Sequence, residues 1–299
     1  MPKILIAGGG SGGHVAPAIA AAESLSTLNF DCVLAHSNRE IDSMMASQTP
    51  FNCITLPASP LSLKPSGFKD FCVGFRRTRK QVSKFIQDQS IDCVLATGGF
   101  VAAPSLCAAK SRSSNCSTVL LNLDNPPGKA NRLAVRWADR ILSTVQCNLK
   151  NASIIPPPLR QCVIAKKNTK KGYEHFGLDP HRMTLLVTGA SQGASSLNKF
   201  IPALAKQYTT SFKGWQVLHI AGAGHSSAVT DYWSSIDIPC QVIGFEQNMG
   251  LAWAVADFAI TRGGANTVAE LAINAIPAVV LPYPYHRDDH QRTNALPLQ

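Results

Sequence analysis

The chain opens on a short apolar strand, Ile4-Leu5-Ile6-Ala7, that runs directly into Gly8-Gly9-Gly10-Ser11-Gly12-Gly13-His14 and then an Ala-rich helix expected to begin near Val15. A strand, a loop almost bare of side chains and a helix start in succession leave unpaired amides and a positive dipole end facing an unobstructed space. The guest such a loop suits is a pyrophosphate or a pyrophosphate-linked molecule. The same arrangement returns where Leu185-Leu186-Val187-Thr188 leads into Gly189-Ala190-Ser191-Gln192-Gly193-Ala194 and another helix. Two such starts in one chain place the function between them.

Gly8, Gly10 and Gly13 also meet the G-x-G-x-x-G spacing of dinucleotide sites, but that reading needs an acid at the end of the second strand, about 20 residues on, for the ribose hydroxyls. Here the second strand, Cys32-Val33-Leu34-Ala35, ends at His36-Ser37-Asn38, and the nearest acid, Glu40, lies past it. A tight strand-to-helix turn alone does not require so long a run of small residues.

Strand and helix signals alternate along the whole length. Candidate strands are Ile4 to Ala7, Cys32 to Ala35, Cys93 to Ala96, Thr118 to Leu121 and Ile141 to Thr144, then Leu185 to Thr188, Gln216 to Ala221, Gln241 to Ile243, Phe258 to Thr261 and Ala278 to Leu281. Strands separated by helix-length segments predict parallel sheets covered on both faces, hence an α/β chain with two Rossmann-like, doubly wound domains facing a cleft. Three prolines in Ile154-Ile155-Pro156-Pro157-Pro158-Leu159 can continue neither a helix nor a central strand, which sets the boundary between domains at 1–160 and 161–299. Further glycine loops follow strand ends at Thr97-Gly98-Gly99-Phe100 and Arg262-Gly263-Gly264-Ala265-Asn266-Thr267. In open parallel sheets ligands bind at the carboxyl ends of strands, so these loops are expected to share one crevice.

The nine cysteines are odd in number and include no Cys-x-x-Cys pair, so they read as free, mostly buried thiols rather than a disulfide frame or zinc site. No charged segment precedes an apolar signal core, and no apolar run approaches bilayer length, which predicts a cytosolic chain. The net charge of +10 suits phosphorylated substrates, anionic lipid or nucleic acid. Its densest cluster follows an aromatic stripe: on a helix Phe68, Phe71, Cys72 and Phe75 share one side, with Arg76, Arg77, Arg79 and Lys80 beyond them. Such a stripe is either an ordinary core face or a membrane-surface patch, and the neighbouring Leu61, Leu63 and Lys64 favour the membrane. No nucleic-acid motif accompanies the charge, so no nucleic acid is expected as partner.

Gly9-Gly10-Ser11-Gly12-Gly13-His14-Val15, Thr97-Gly98-Gly99-Phe100, Thr188-Gly189-Ala190-Ser191-Gln192-Gly193-Ala194, Arg262-Gly263-Gly264-Ala265 through Glu270, and Pro282-Tyr283-Pro284 with Asp288-Asp289-His290-Gln291 and Asn294-Ala295 together resemble the MurG family. The resemblance runs from Lys3 to the last residue, with five motifs in family order. It implies the GT-B architecture and inverting, metal-independent transfer of GlcNAc from UDP-GlcNAc to lipid I, the undecaprenyl-pyrophosphate-linked MurNAc-pentapeptide. The acceptor would lie on the N-terminal domain and the donor on the C-terminal one, in a peripheral protein on an anionic membrane at the cytoplasmic face. No cofactor and no metal are implied. By match of motif, Ser191, Gln192 and Gly193 would meet the donor pyrophosphate, and Glu270 both ribose hydroxyls. Backbone near Phe245 and Glu246 would meet uracil, and Gln291 the sugar hydroxyls. Ala265, Asn266 and Thr267 belong to the donor loop; Ser11, Gly12, Gly13, Asn125 and Arg160 would complete the site from the other domain. Gly98, Gly99 and Phe100 form the acceptor-side loop. His14 is the candidate base for the acceptor hydroxyl, although a histidine after a glycine loop also suits phosphate binding or loop fixing.

Two departures stand out. Asn122-Leu123-Asp124-Asn125 replaces the family's His-Glu-Gln-Asn segment, and Phe100 stands where a tyrosine is common. The chain also stops at Gln299 in what reads as a helix start, whereas the family continues through further C-terminal helices, so either a fragment or a naturally shortened member is expected. A related UDP-sugar transferase on another acceptor, or a non-catalytic UDP-sugar-binding remnant, are the alternatives.

Overall fold

A computed structural model describes residues 1–10, 12–62, 64–110, 115–166, 170–189, 193–283 and 289–299. The chain forms two compact units, Met1–Arg160 and Gln161–Gln299. The first contains, in order, β1 (Lys3–Gly8), α1 (Gly12–Thr27), β2 (Asp31–Ser37), α2 (Glu40–Ser47), β3 (Asn52–Leu56), α3 (Pro65–Gln89), β4 (Cys93–Gly98), α4 (Ala102–Ala109), β5 (Ser117–Asn122), α5 (Lys129–Ala134), β6 (Arg140–Ser143) and β7 (Ala152–Ile154). All neighbours pair in parallel, in the order β3-β2-β1-β4-β5-β6-β7.

The inner strands are mostly apolar and buried along their length because both faces are covered. Ile4 and Ile6 point to one side, where Val15, Ala18, Ile19 and Ala22 of α1 pack on them. Leu5 and Ala7 point to the other, onto Val82 and Ile86 of α3 and Leu106 of α4. The period-two alternation of β1 thus divides its side chains between two cores, as a buried parallel strand requires.

The second unit repeats the plan with α6 (Lys170–Phe176), β8 (Met183–Thr188), α7 (Ser195–Gln207), β9 (Trp215–Ile220), α8 (Ser226–Ser234), β10 (Cys240–Ile243), α9 (Met249–Val255), β11 (Phe258–Thr261), α10 (Ala265–Asn274), β12 (Ala278–Val280) and α11 (His290–Ala295). Its sheet order is β10-β9-β8-β11-β12, again parallel. Leu186, Leu218 and Ala259 pack beneath Trp253 and Leu271, while Leu185, Val187 and Val217 meet Ile201, Val229 and Trp233 on the opposite face. In each unit the strand order reverses beside the first strand, between β1 and β4 and between β8 and β11, where loops diverge and leave room for a ligand.

All ten strands expected from the sequence are present. Two more, β3 and β7, were not legible: they are short outer strands with mostly exposed side chains, held by their ladders to β2 and β6. The first helix begins at Gly12, not near Val15, so Gly12, Gly13 and His14 are its opening turn. The nine cysteines are free, but only Cys32 and Cys116 are buried, which corrects the expectation of mostly buried thiols.

The aromatic stripe lies on α3, which starts with Pro65, a favoured first helical residue. Phe68 is 52% exposed, and ring contacts run from it to Phe71, on to Phe75 and then to Trp137. Phe75 packs against the core of the first unit, so it belongs to the interior side of the stripe and not to an outward patch. Arg76, Arg77, Arg79 and Lys80 are exposed.

In the second unit a buried hydrogen-bond chain ties α8 to the start of α7. Trp233 Nε1 donates to His219 Nδ1 at 3.1 Å, His219 Nε2 then donates to Asn198 Oδ1 at 3.0 Å, and Asn198 Nδ2 donates to the Ala221 carbonyl at 2.8 Å. Burial pushes the His219 pKa down to about 4. A neutral imidazole in the fold and a free one in the unfolded chain means stability that is complete above about pH 6.5 and is lost as pH falls toward 4, roughly 3 kcal/mol in all. Thermal unfolding should therefore show a fall in Tm from pH 7 to pH 5 that His219→Leu reduces, although this variant is less stable than the native chain at pH 7. An equal fall in both would remove the assignment.

Candidate active site

The β1 and β4 loops of the first unit meet through glycine backbone. A β-carbon on Gly99 would lie 1.6 Å from the Gly9 carbonyl oxygen, and Gly99 holds φ +73°, so this approach admits only glycine. Thr97 Oγ1 donates to the His14 carbonyl at 2.8 Å and ties the end of β4 to the opening turn of α1. The His14 ring lies against Gly98, where an added β-carbon would be 2.5 Å from its Cδ2. Phe100 packs over Gly10 on the same loop pair.

A carboxylate holds this turn from below. Asp42, in the first turn of α2 and fully buried, accepts from the Gly10 amide at 2.5 Å and from Ser37 Oγ at 2.5 Å. Arg39 donates to the Gly10 carbonyl and lies 5.2 Å above the Phe100 ring. Burial lowers the His14 pKa, against the charges of Asp124 and Asp42, which raise it. Behind this pair, Asn122 Nδ2 donates to Ser143 Oγ at 3.1 Å and to the Asp124 carbonyl at 2.8 Å, and its Oδ1 accepts from Asn131 Nδ2 at 3.1 Å. This ladder shapes the turn that leads to Asn125. Arg160 closes the unit with a shielded Nε that lacks a hydrogen-bond partner among the described residues.

In the second unit Gly189 lies against the Ala194 amide, and Gly193, at φ +72°, against the Ala221 carbonyl, where its β-carbon would stand 2.1 Å away. Ser191 and Gln192, expected at the pyrophosphate, and Ser11 of the first loop lie outside the described residues. The loop after β11 is set by Arg262, which is 8% exposed. It donates to the Leu281 carbonyl at 2.7 Å, the Pro282 carbonyl at 3.0 Å and Ser196 Oγ on α7. Burial lowers its pKa, partly offset by Tyr283. Ala265, Asn266 and Thr267 open α10, half-buried, and Glu270 stands one turn on, accepting from Trp253 Nε1 at 2.9 Å. Gln291 Oε1 accepts from the Tyr283 amide at 2.8 Å, so part of this side chain fixes its own loop. Phe245 is exposed, while the Glu246 carboxylate turns to Asn248 N at 2.6 Å and His175 Nε2 at 2.9 Å.

Residues 4–143 match the model of the glycosyltransferase family 28 N-terminal domain, and residues 184–299 that of the family 28 C-terminal domain. A protein from a Nocardioides species, called UDP-N-acetylglucosamine--N-acetylmuramyl-(pentapeptide) pyrophosphoryl-undecaprenol N-acetylglucosamine transferase, is 33% identical over 99% of this chain and 82% of its own length. A protein of the same name from Tropheryma whipplei is 32% identical over 98% of this chain and 82% of its own. The chain belongs to the MurG family. It is a glycosyltransferase with the two Rossmann-like domains of GT-B enzymes. The crystal structure of Acinetobacter baumannii MurG shares that fold, with a TM-score of 0.70 at 21% identity over 98% of this chain and 82% of that one.

Within each unit the structure gathers the expected loops of this MurG-family chain: His14 with Gly98, Gly99 and Phe100, and the α10 start with Glu270 and Gln291. Sequence reasoning missed Asp42, Arg39, Asn131, Trp253 and Asn198, because each sits in or just before an ordinary helix and acquires meaning only from its partner. Among the described residues no group of three or more His, Cys, Asp or Glu is placed to hold a metal ion. Asp42→Ala removes an ionised acceptor from two donors, each bond to a charge contributing about 1.5–3 kcal/mol. Urea unfolding should show a loss of about 3–6 kcal/mol in the first unit, and a change within experimental error would exclude Asp42 as the support of the Gly10 turn.

Proposed function

We propose that this chain transfers GlcNAc from UDP-GlcNAc to the 4-hydroxyl of MurNAc in lipid I, giving lipid II for peptidoglycan synthesis. The observation that carries the proposal is kinship over 99% of the chain with a transferase whose name states that donor and acceptor. Residues 1–160 serve the lipid-linked acceptor and residues 161–299 the donor. His14 takes the proton of the 4-hydroxyl as its oxygen attacks the anomeric carbon, the bond to the diphosphate breaks with inversion, and UDP leaves. A base lowered by burial is neutral at physiological pH, as the step requires. Ser191, Gln192 and Gly193 meet the departing diphosphate with amides and a helix start, Glu270 holds the ribose, and the Phe245-Glu246 backbone faces uracil. Gln291 and the Ala265-Asn266-Thr267 turn reach the sugar and phosphate; Ser11, Gly12, Gly13, Asn125 and Arg160 serve the donor from the other unit.

The test is transfer of labelled GlcNAc from UDP-GlcNAc to a lipid I analogue. The native chain should make lipid II, with a rate whose fall on the acid side comes at a lower pH than an ordinary histidine would give. His14→Asn should lose at least about a hundredfold in kcat, in line with general-base catalysis, while UDP affinity in calorimetry is kept. Absence of product with the native chain would sink the proposal.

The acceptor's lipid calls for a membrane surface. Phe68 is exposed and Phe71 half-buried on α3, beside the exposed Arg76, Arg77, Arg79 and Lys80. An open groove of about 590 Å³ on this helix is lined by Arg76, Arg79, Lys80, Ser83, Lys84 and Gln87, four of them cations and none an acid. No helix among the described residues is long and apolar enough to cross a membrane. The proposed location is therefore peripheral, on the cytoplasmic face of the plasma membrane, against anionic lipid. Replacing Arg76, Arg77, Arg79 and Lys80 by glutamine should release the protein from anionic vesicles, each cation contributing about 1 kcal/mol, and high salt should do the same to the native chain. Unchanged co-sedimentation under both treatments would leave α3 as a core helix with a solvated face.

A further inference from the structure

A carboxylate meant to grip ribose hydroxyls gains most when it is oriented before the nucleotide arrives, because the cost of ordering it is then met in folding. Glu270 is so oriented by a residue outside every expected site. Trp253, on α9, is fully buried and packed with Leu186, Leu218 and Leu271. Its Nε1–H donates to Glu270 Oε2 at 2.9 Å. An indole has one donor and no acceptor, and its ring is locked by the core, so this hydrogen bond is directional and cannot turn toward another partner. The backbone at the same point is also held: Asn274 Nδ2 donates to the Glu270 carbonyl at 2.8 Å and to the Val163 carbonyl at 2.9 Å, while its Oδ1 accepts from the Ala165 amide at 2.7 Å. Bulk alone would explain an aromatic side chain at position 253. It does not explain an N–H aimed at the one carboxylate on the α10 face beside the donor loop.

We infer that Trp253 is a positioning residue for the ribose of the nucleotide, acting through the orientation of the Glu270 carboxylate. Each carboxylate oxygen has two acceptor directions, so a hydrogen bond from the indole orients the group without using up its capacity as an acceptor. The inference rests on the assignment of Glu270 to the ribose.

Calorimetry with UDP and with 2′,3′-dideoxyuridine 5′-diphosphate separates the two assignments. The native chain should bind UDP more tightly than the dideoxy nucleotide. Trp253→Phe should weaken UDP by about fivefold, roughly 1 kcal/mol, leave the dideoxy nucleotide unchanged, and add nothing in a Glu270→Ala background. UDP affinity equal to native in Trp253→Phe, or an equal loss for both nucleotides, overturns the positioning role. A native chain that does not distinguish the two nucleotides instead overturns the ribose assignment itself. Since phenylalanine leaves a cavity in the core, a second measurement uses the unaltered chain: the indole N–H signal of Trp253 in nitrogen-15 spectra, with Trp137, Trp215 and Trp233 as references. It should move on addition of UDP and stay in place with the dideoxy nucleotide; an equal response to both overturns the inference.

Discussion

Contact between the Gly99 α-carbon and the Gly9 carbonyl is the constraint on which the first unit's site depends. With a β-carbon only 1.6 Å from that oxygen, any other residue would force the β1 and β4 loops apart. Their closeness is what stacks Phe100 on Gly10, lays Arg39 over Phe100 and encloses His14. The second unit reaches the same end with different contacts: Gly193 lies on the Ala221 carbonyl and Gly263 on the Gln291 carbonyl, and a β-carbon on either would stand only 2.1 Å from that oxygen. Both sites sit where the sheet order reverses, so the glycines exploit a gap that parallel topology opens.

Loops that bare of side chains have little apolar surface with which to hold themselves, and buried polar groups take over. Asp42 serves the Gly10 turn, the Ser143-Asn122-Asn131 ladder the turn before Asn125, His219 and Asn198 the Gly193 turn, and Arg262 the start of α7. Each group loses hydration on burial, so its stability contribution is small or negative unless its partners are complete. What these networks contribute is a fixed loop shape, which suits the proposed binding of a diphosphate by backbone amides.

α3 shows how one amphipathic helix can serve two environments along its length. Toward its C-terminal half Thr78, Val82 and Ile86 are buried, and the cations face water. Toward its N-terminal half the core ends at Phe75, and Phe71 and Phe68 continue the stripe outward beyond it. The stripe is continuous in sequence, while the core beneath it is not.

The alternation of apolar strands with helix-length segments, and the glycine loops at strand ends, were enough to establish the two α/β domains from sequence, because strands buried on both faces must be apolar throughout. The strands β3 and β7 escaped that reading, since an outer strand is held by its ladder and carries mostly exposed side chains. His14, Phe100 and Glu270 stood out as candidates through their place beside glycine loops. Asp42, Arg39, Asn198 and Trp253 were not: an aspartate in a helix's first turn or a tryptophan in an apolar helix reads as capping or core. Hydrogen bonds between groups 17, 21 or 32 residues apart gave them their roles, and only tertiary packing sets such distances. Sequence determined which residues could bind and react; the fold decided which of them are held in place to do so.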